Sequence, residues 1–283
     1  MTPALGAVIV NYNAGSELRR ALESIDREAG GSWQAVVVDN GSADGSEAAA
    51  MEFAQVRLIR NSGNVGFARG VNQAIRACPA ARIVIMNPDC QLMPGSLPPL
   101  MAALDADPRC AVAAPLVRNP DGSPQGNARG DPDMLTGLFG RSSALRRTLP
   151  ELDVARRNVI AGTADDASAA VDWVSGACML VRRDAFINVG GFDERYFMYW
   201  EDADLCRRLR ARGHTIRFVP AASAVHQVGQ SSRTARTQSV RAFHDSAYLY
   251  YSTHVAPGAL NPKRWIARGL LAIRCWWKLT RVT

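Results

Sequence analysis

Three predicted β-strands are followed directly by a carboxylate or an amide side chain. The clearest case is the segment 82–86, whose last four residues are apolar and which leads into Asn87-Pro88-Asp89. Pro88 cannot donate to a strand ladder, so strand pairing is expected to stop there and to leave Asp89 at the carboxyl end of a buried strand. Open α/β sheets bind ligands at that edge, and a carboxylate there suits a hard divalent cation. Asn-Pro-Asp is also ordinary turn chemistry, so this segment alone does not decide between the two interpretations.

The two other strands end in the same way. Segment 5–10 is followed by Asn11, and segment 35–38 is followed by Asp39. These polar residues, like Asp89, are expected at one edge of the sheet, where parallel strands end together. Gly63-Asn64-Val65-Gly66 opens a predicted helix, but it matches neither the dinucleotide-binding nor the Walker fingerprint. This mismatch argues against a dehydrogenase or an NTPase.

Aromatic and acidic side chains are concentrated around residue 200. Trp200 precedes Glu201 and Asp202, which open a predicted helix that runs to Gly213. Acids in the first turn of a helix complement its dipole, and this alone would explain them structurally. The functional interpretation is a general base beside an aromatic wall, where partial desolvation raises the pKa of the carboxylate. His226 follows a later predicted strand, in a loop where a metal ligand could lie.

Strand and helix signals alternate through the first 117 residues. The order β-α-β-α-β-α-β-α-β predicts an α/β fold with a mostly parallel sheet flanked by helices. Segment 118–170 is rich in Gly, Pro, Asn, Asp and Arg and is predicted to be a mobile, basic loop region. Segment 171–181 is predicted to be one strand, whose small central residues allow a ligand or another backbone to approach closely.

The composition is that of a globular protein, with 283 residues, of which 47% are hydrophobic and 21% charged. The formal net charge is +7, and segment 263–283 holds six basic residues and no acid. The rest of the chain is therefore close to neutral, which argues against a nucleic-acid partner. The six cysteines form no Cys-x-x-Cys pair and the first residues show no signal-peptide pattern, so a reducing, cytoplasmic compartment is expected.

Taken in order, the motifs of this chain resemble those of the family 2 glycosyltransferases of GT-A fold. The resemblance covers residues 5–232, and its strength lies in the order and spacing of short motifs that are each weak alone. The branch it is most similar to contains bacterial rhamnosyltransferases that build cell-wall or O-antigen linkers on a polyprenyl carrier. The motifs that carry the resemblance are residues 8–13, 37–42, 61–72, 87–89, 176–183, 190–194 and 201–206.

This resemblance implies a Rossmann-like GT-A sheet and an inverting transfer from a nucleotide-activated sugar. Asp202 matches the base of the family's Glu-Asp motif, with Glu201 as the neighbour that could hold the role instead. Asp89 matches the last acid of the Asp-x-Asp signature, and His226 matches a histidine that completes the metal site in some members. The implied metal is Mg²⁺ or Mn²⁺. The first acid of the signature is Asn87 here, so the site has one negative charge fewer.

The resemblance also implies which residues contact the two substrates. Asp39 corresponds to a contact with the pyrimidine ring, and Asn11 and Asn64 would line the nucleotide pocket. Arg69 and Asn87 complete the predicted donor side. The predicted acceptor-side residues are Trp173, Gly176 and Trp200. The implied organisation is a GT-A domain, 1–232, followed by a basic helical extension, 233–283. The parts of that domain are a nucleotide-sugar-binding half (1–117), a variable loop region (118–170) and an acceptor and catalytic half (171–232).

The implied reaction moves a sugar to a hydroxyl of a glycan or of a polyprenyl-diphosphate-linked sugar, with L-rhamnose from dTDP-rhamnose as the best match. Three alternatives stay open: another donor such as a UDP-sugar, a sugar nucleotidyltransferase, and a non-catalytic nucleotide-binding protein. A nucleotidyltransferase should carry a Gly-rich loop with a basic residue after its first strand, and residues 11–15 lack one. The presence of both Asp89 and Asp202 argues against a binding protein.

Segment 262–283 combines basic residues, tryptophans and aliphatic residues at helical spacing. A basic amphipathic helix with tryptophans suits the headgroup region of an anionic bilayer, and this one is too short and too charged to span it. The chain is therefore expected as a peripheral protein at the cytoplasmic face of the inner membrane. The alternative is a helix that packs its tryptophans against the domain or against a second copy of the chain in a homodimer.

Overall fold

The first half of the chain builds parallel strands joined by helices. The structure is a computed structural model that describes residues 4–132, 168–227 and 236–281. The first four strands are β1 (Leu5–Asn11), β2 (Trp33–Asp39), β3 (Val56–Arg60) and β4 (Arg82–Met86). The helical segments between them are α1 (Glu17–Ala29), a 3-10 helix (Ser46–Glu52) and α2 (Phe67–Ala77). The four strands are parallel in the order β3-β2-β1-β4, which confirms the predicted succession.

The second half of the sheet is mixed. Its strands are β5 (Cys90–Leu92), β6 (Cys110–Arg118), β8 (Ala169–Ala170), β10 (Cys178–Arg182) and β11 (Thr215–His226), while β7 (Ala128–Arg129) and β9 (Trp173–Val174) form a separate pair. The order continues β4-β10-β6-β11-β5, with β10 antiparallel to β4 and β6 and with β11 parallel to β6. The helices of this half are α3 (Leu97–Ala106), α4 (Arg183–Asn188) and α5 (Glu201–Ala211).

Both faces of the sheet are covered by apolar side chains. Successive residues of a strand point to opposite faces, so neighbours in β1 join different layers. Val8 packs in the same cluster as Val71 of α2, and Ile9 packs in the cluster that contains Leu22 of α1. All four side chains are fully buried. A parallel sheet covered on both faces leaves its strand ends as the place where polar residues reach a ligand.

Two predicted elements are wrong, and both carry predicted site residues. Segment 171–181 is two strands, β9 and β10, because Ser175-Gly176-Ala177 forms a turn whose Gly176 N–H donates to Asp202 Oδ2 at 2.9 Å. His226 lies in a strand and not in a loop, since β11 continues beyond Pro220 through a register shift and pairs His226 with Cys90 of β5. In segment 118–170, residues 119–132 form turns and β7, and residues 133–167 lie outside the described part of the chain.

Two helices and a π-helical turn follow the sheet: α6 (Arg236–Tyr250), the turn (Tyr251–Val255) and α7 (Pro262–Leu279). They are attached to α5 through aromatic and ionic contacts. The ring centroids of Trp200 and Tyr250 are 5.3 Å apart, and His254 Nε2 lies 2.6 Å from Asp204 Oδ1. Among the helices of the described ranges, none is both long and apolar enough to cross a membrane.

Candidate active site

A buried hydrogen-bond network joins the carboxyl ends of β1 and β2. Asn11 Nδ2 donates to Asp39 Oδ1 at 2.8 Å, and Ser42 Oγ donates to the same oxygen at 2.6 Å. Asp39 Oδ2 accepts from the N–H groups of Gly41 and Ser42 at 3.1 and 3.0 Å. Asn11 is fully buried, so its side chain supports the loop from beneath and does not line an open pocket. The contact of Asp39 with a donor ring stays a prediction.

Asn64 shapes the loop that leads into α2. Its Oδ1 accepts from Gly66 N–H at 3.0 Å and from Asn40 Nδ2 at 3.2 Å, which ties the loops after β2 and β3 together. Arg69, one turn into α2, is largely exposed and places Nε 3.2 Å from Glu194 Oε2. Asn64 is therefore hydrogen-bonded to the loop after β2, whereas Arg69 forms an ion pair with Glu194. Donor binding by either residue stays a prediction.

Asp89 and His226 meet where β4 and β11 end. His226 Nε2 lies 3.1 Å from Asp89 Oδ1 and 3.3 Å from Asn87 Nδ2. On the other side of the ring, His226 Nδ1 lies 3.0 Å from Gln125 Oε1. Gln125 Nε2 donates to the His226 carbonyl at 2.8 Å, which orients the amide so that its oxygen accepts from Nδ1–H. With Nδ1–H directed to Gln125, Nε2 is the ring nitrogen that faces both Asp89 and Asn87.

These donor atoms fit a divalent cation. An imidazole nitrogen and a carboxylate oxygen are both electron-pair donors, and at 3.1 Å their lone pairs face each other unless a proton or a cation lies between them. Within residues 4–132, 168–227 and 236–281, no group of three or more His, Cys, Asp or Glu side chains could hold a metal. Asp89 and His226 would therefore share the cation with non-protein ligands such as diphosphate oxygens or water.

Gln125 is expected to control cation affinity at this edge. We expect Gln125→Leu to weaken Mn²⁺ binding by about 10- to 100-fold, because His226 loses the acceptor that holds its proton on Nδ1. Calorimetric titration measures the affinity, and NMR shifts of the His226 ring nitrogens report the tautomer. Gln73→Leu is the matched control, since Gln73 pairs with Asn61. Unchanged ring shifts together with unchanged affinity in Gln125→Leu would contradict this role.

Asp202 lies in the first turn of α5 and is partly exposed. Its Oδ2 accepts from Gly176 N–H at 2.9 Å, and its Oδ1 accepts from Ala203 N–H at 2.8 Å. Burial raises the pKa of Asp202, although both hydrogen bonds and the positive charge of Arg129 act in the opposite direction. Asp202 therefore combines access to solvent with a raised pKa, which are the two properties of a general base.

Glu201 has a different environment. It is 5% exposed, and its Oε2 has no hydrogen-bond partner among the described residues. Burial, followed by the negative charge of Asp202, raises the pKa of Glu201 well above its ordinary value. Of the two acids, Glu201 is the one whose neutral form is favoured more strongly by its surroundings. Adjacent acids in different environments can differ in their acid–base roles. Asp202 is the one of the two that solvent reaches.

The predicted acceptor-side residues are only partly brought together. Gly176 contacts Asp202, and Trp173 lies nearby under Arg129, whose guanidinium carbon is 5.1 Å from the ring centroid. Trp200 instead packs on α6 against Tyr250. Trp200 also has a φ of 69°, in the left-handed region that costs a non-glycine residue energy. The acceptor role of Trp200 stays a prediction.

Gln125 and Arg129 were not among the predicted site residues. Both lie in segment 118–170, which the composition indicated to be a surface loop, but Gln125 is 5% exposed and contacts His226. The polar run from Asn119 to Gly130 gave no periodic signal that could identify them. The third acid of the motif, Asp204, is structural, since it is buried between Arg208 and His254.

Comparisons of the sequence with known proteins identify the family of this chain. The family model "Glycosyl transferase family 2" matches residues 7–190, and "Glycosyl transferase family group 2" matches residues 151–257. An N-acetylglucosaminyl-diphospho-decaprenol L-rhamnosyltransferase of Mycobacterium tuberculosis is 35% identical over 289 residues, which cover 97% of this chain and 92% of that protein. Rhamnosyltransferase WbbL of Escherichia coli is 42% identical over 80 residues, covering 28% of this chain and 30% of that protein.

Solved structures share the fold at low sequence identity. GalNAc-T7 with UDP, GalNAc and Mn²⁺ superimposes with a TM-score of 0.61 and 17% identity over 96% of this chain, which spans 55% of that chain. The mannosyltransferase PcManGT of Pyrobaculum calidifontis, in complex with GDP-Man and Mn²⁺, gives a TM-score of 0.60 and 16% identity, covering all of this chain and 73% of that one. With more than half of its residues matched by the family model and a full-length relative at 35% identity, the chain belongs to glycosyl transferase family 2.

Proposed function

We propose that this chain is an inverting glycosyltransferase that moves L-rhamnose from dTDP-rhamnose to a hydroxyl group of a lipid-linked sugar. The observation that carries the proposal is that two acidic sites share one edge of the sheet. Asp89 with His226 forms one site and Asp202 with Gly176 forms the other. The N–H of Asn87 donates to the carbonyl of Ala177 at 3.0 Å, which joins the backbone of the two sites. The choice of rhamnose is supported by the name of the 35%-identical relative.

The two sites divide the reaction between leaving group and nucleophile. A divalent cation, Mg²⁺ or Mn²⁺, held by Asp89 and His226 would neutralise the charge of the departing nucleoside diphosphate. Asp202 accepts the proton of the acceptor hydroxyl as the hydroxyl oxygen bonds to the anomeric carbon and the carbon–diphosphate bond breaks. Attack from the face opposite the leaving group inverts the anomeric centre, so no covalent sugar–enzyme intermediate forms.

The lipid-linked acceptor sets where the reaction takes place. The Mycobacterium tuberculosis relative is named for an acceptor joined to decaprenol through a diphosphate. We propose an acceptor of the same class, a sugar linked through a diphosphate to a polyprenyl chain. Because such a chain is buried in a bilayer, we place this protein as a peripheral protein at the cytoplasmic face of the inner membrane.

A donor screen tests the proposal. In the presence of Mn²⁺, saturating dTDP-rhamnose should stabilise the folded chain by about 2.7 kcal/mol at 100 times its Kd, because it binds only the native state. UDP-sugars and free rhamnose should give smaller shifts of Tm, and transfer to a GlcNAc-diphosphate-lipid should follow by mass spectrometry. The largest shift with a UDP-sugar would contradict the donor. Formation of a nucleotide-sugar from a nucleoside triphosphate and a sugar phosphate would contradict the reaction.

A further inference from the structure

The face of α7 that points away from the protein is apolar. Large side chains on this face have exposed fractions between 45% and 67%. We call this surface the exposed α7 face; its residues are Trp265, Ile266, Leu270, Ile273, Trp276 and Trp277. At 3.6 residues per turn these six side chains occupy about 140° of the helix circumference, and the five basic residues of α7 all lie in the remaining arc. Contiguous exposed apolar surface of this kind marks an interaction site.

The opposite side of α7 packs on the rest of the chain. Ala267 is 8% exposed and belongs to a cluster with Tyr251 and Ala256. Arg264 Nε donates to Tyr248 Oη at 3.1 Å, and the Arg268 guanidinium lies 5.6 Å from the centre of the same ring. An ordinary surface helix buries its apolar stripe and exposes its charges. Here the orientation is reversed, and within the described part of the chain the tryptophan side chains of α7 remain between 45% and 67% exposed.

We propose that the exposed α7 face docks in the headgroup region of an anionic lipid bilayer, with the helix axis parallel to the membrane surface. Charge complementarity selects this occupant, because α7 carries five basic residues and no acid. Lys263 borders the apolar arc, where it would meet lipid phosphates while the tryptophans enter the interface. A second copy of the chain would instead bring five further positive charges to the same surface.

The docked helix is connected to the active site through α6. Ser246 Oγ donates to the Met198 carbonyl at 2.9 Å, two residues before the strained Trp200. His254 Nε2 contacts Asp204 on the helix that begins with Glu201 and Asp202. Docking would therefore hold the acceptor side of the site close to the bilayer. This inference rests on the proposed function for its purpose, but vesicle binding requires neither donor nor acceptor, so the two can fail separately.

Co-sedimentation of the full chain with vesicles tests the docking. We expect binding to phosphatidylglycerol vesicles, little binding to phosphatidylcholine vesicles, and weakening by salt. The double variant Ile273→Ser with Trp276→Ser should lower the affinity for these vesicles by about tenfold or more. Met51→Ser with Ile187→Ser is the matched control, because these residues are 64% and 43% exposed outside α7. Lys263→Gln should weaken binding about fivefold.

Two results would overturn the docking. One is equal sedimentation of both double variants, or no sedimentation of the wild-type chain with phosphatidylglycerol vesicles at low salt. The other is a dimer in analytical ultracentrifugation that Ile273→Ser with Trp276→Ser converts to a monomer, since the face would then be a contact between copies. Rhamnosyl transfer to a water-soluble acceptor should be unchanged in this variant. Failure of that transfer in the wild-type chain would count against the proposed function alone.

Discussion

Asp202→Asn is expected to lower kcat by about 10²- to 10⁴-fold while nucleotide affinity stays within about twofold of the wild-type value. The amide keeps the shape of the side chain and can still approach Gly176, but it cannot take a proton from the acceptor hydroxyl. Single-turnover transfer measures the chemical step, and calorimetry with the nucleoside diphosphate measures binding. A variant that loses affinity as strongly as rate would contradict the role, because a general base acts only in the chemical step.

The pH profile is a second readout of the same role. Burial raises the pKa of Asp202, and only its ionised form can act as a base. The rate constant kcat/KM should therefore rise with pH through this raised pKa and be lost as pH falls below it. The residual rate of Asp202→Asn should lack this acid limb. A wild-type profile that is flat through the acid range would contradict Asp202 as the base.

Glu201→Gln is the matched control for Asp202→Asn. Glu201 is buried and its pKa is raised well above the ordinary value, so its environment favours a neutral side chain and should accept an amide. We expect Glu201→Gln to keep most of the wild-type rate. If Glu201→Gln loses the rate and Asp202→Asn keeps it, the base lies one residue earlier than we propose.

Asp89→Asn is expected to weaken the Mn²⁺-dependent binding of nucleoside diphosphate by about 100-fold or more, since the cation loses its negatively charged protein ligand. The amide preserves the volume of a side chain that is 6% exposed, so the fold should be retained. Calorimetry with and without Mn²⁺ separates the metal-dependent part of the affinity from the rest. His226→Ala should lose a smaller part of this metal-dependent affinity, because it removes a neutral ligand that an oxygen of the diphosphate or a water can replace.

The control for Asp89→Asn is Asp121→Asn, which changes an exposed acid in a turn. Its nucleotide affinity should be the same as that of the wild type in both conditions. Metal dependence that survives unchanged in Asp89→Asn would contradict the role of Asp89 as the negatively charged ligand of the cation. If Asp121→Asn loses the metal dependence as strongly as Asp89→Asn does, the loss reflects the net charge of the protein and not a ligand at residue 89.

The sequence by itself determined the parallel half of the sheet and the grouping of its polar strand ends. Helix 67–77 was predicted with the bounds that the structure shows, and strand 82–86 ends two residues before Pro88, where its pairing was predicted to stop, because both signals are local and strong. Asn11 and Asp39 were expected at one edge, and they are joined there by a hydrogen bond. Parallel strands end together whatever their loops contain, so this grouping needs no knowledge of the loops.

Only the tertiary structure decided which of these residues meet and which way they face. Gln125 and His226 are 101 residues apart, and β11 continues past Pro220 because β5 provides a partner strand. Burial separates Glu201 from Asp202, although local pattern treats two adjacent acids alike. The same holds for α7, because a helical repeat shows that one face is apolar but not which face the protein covers. That orientation depends on contacts such as Arg264 with Tyr248, which no local pattern contains.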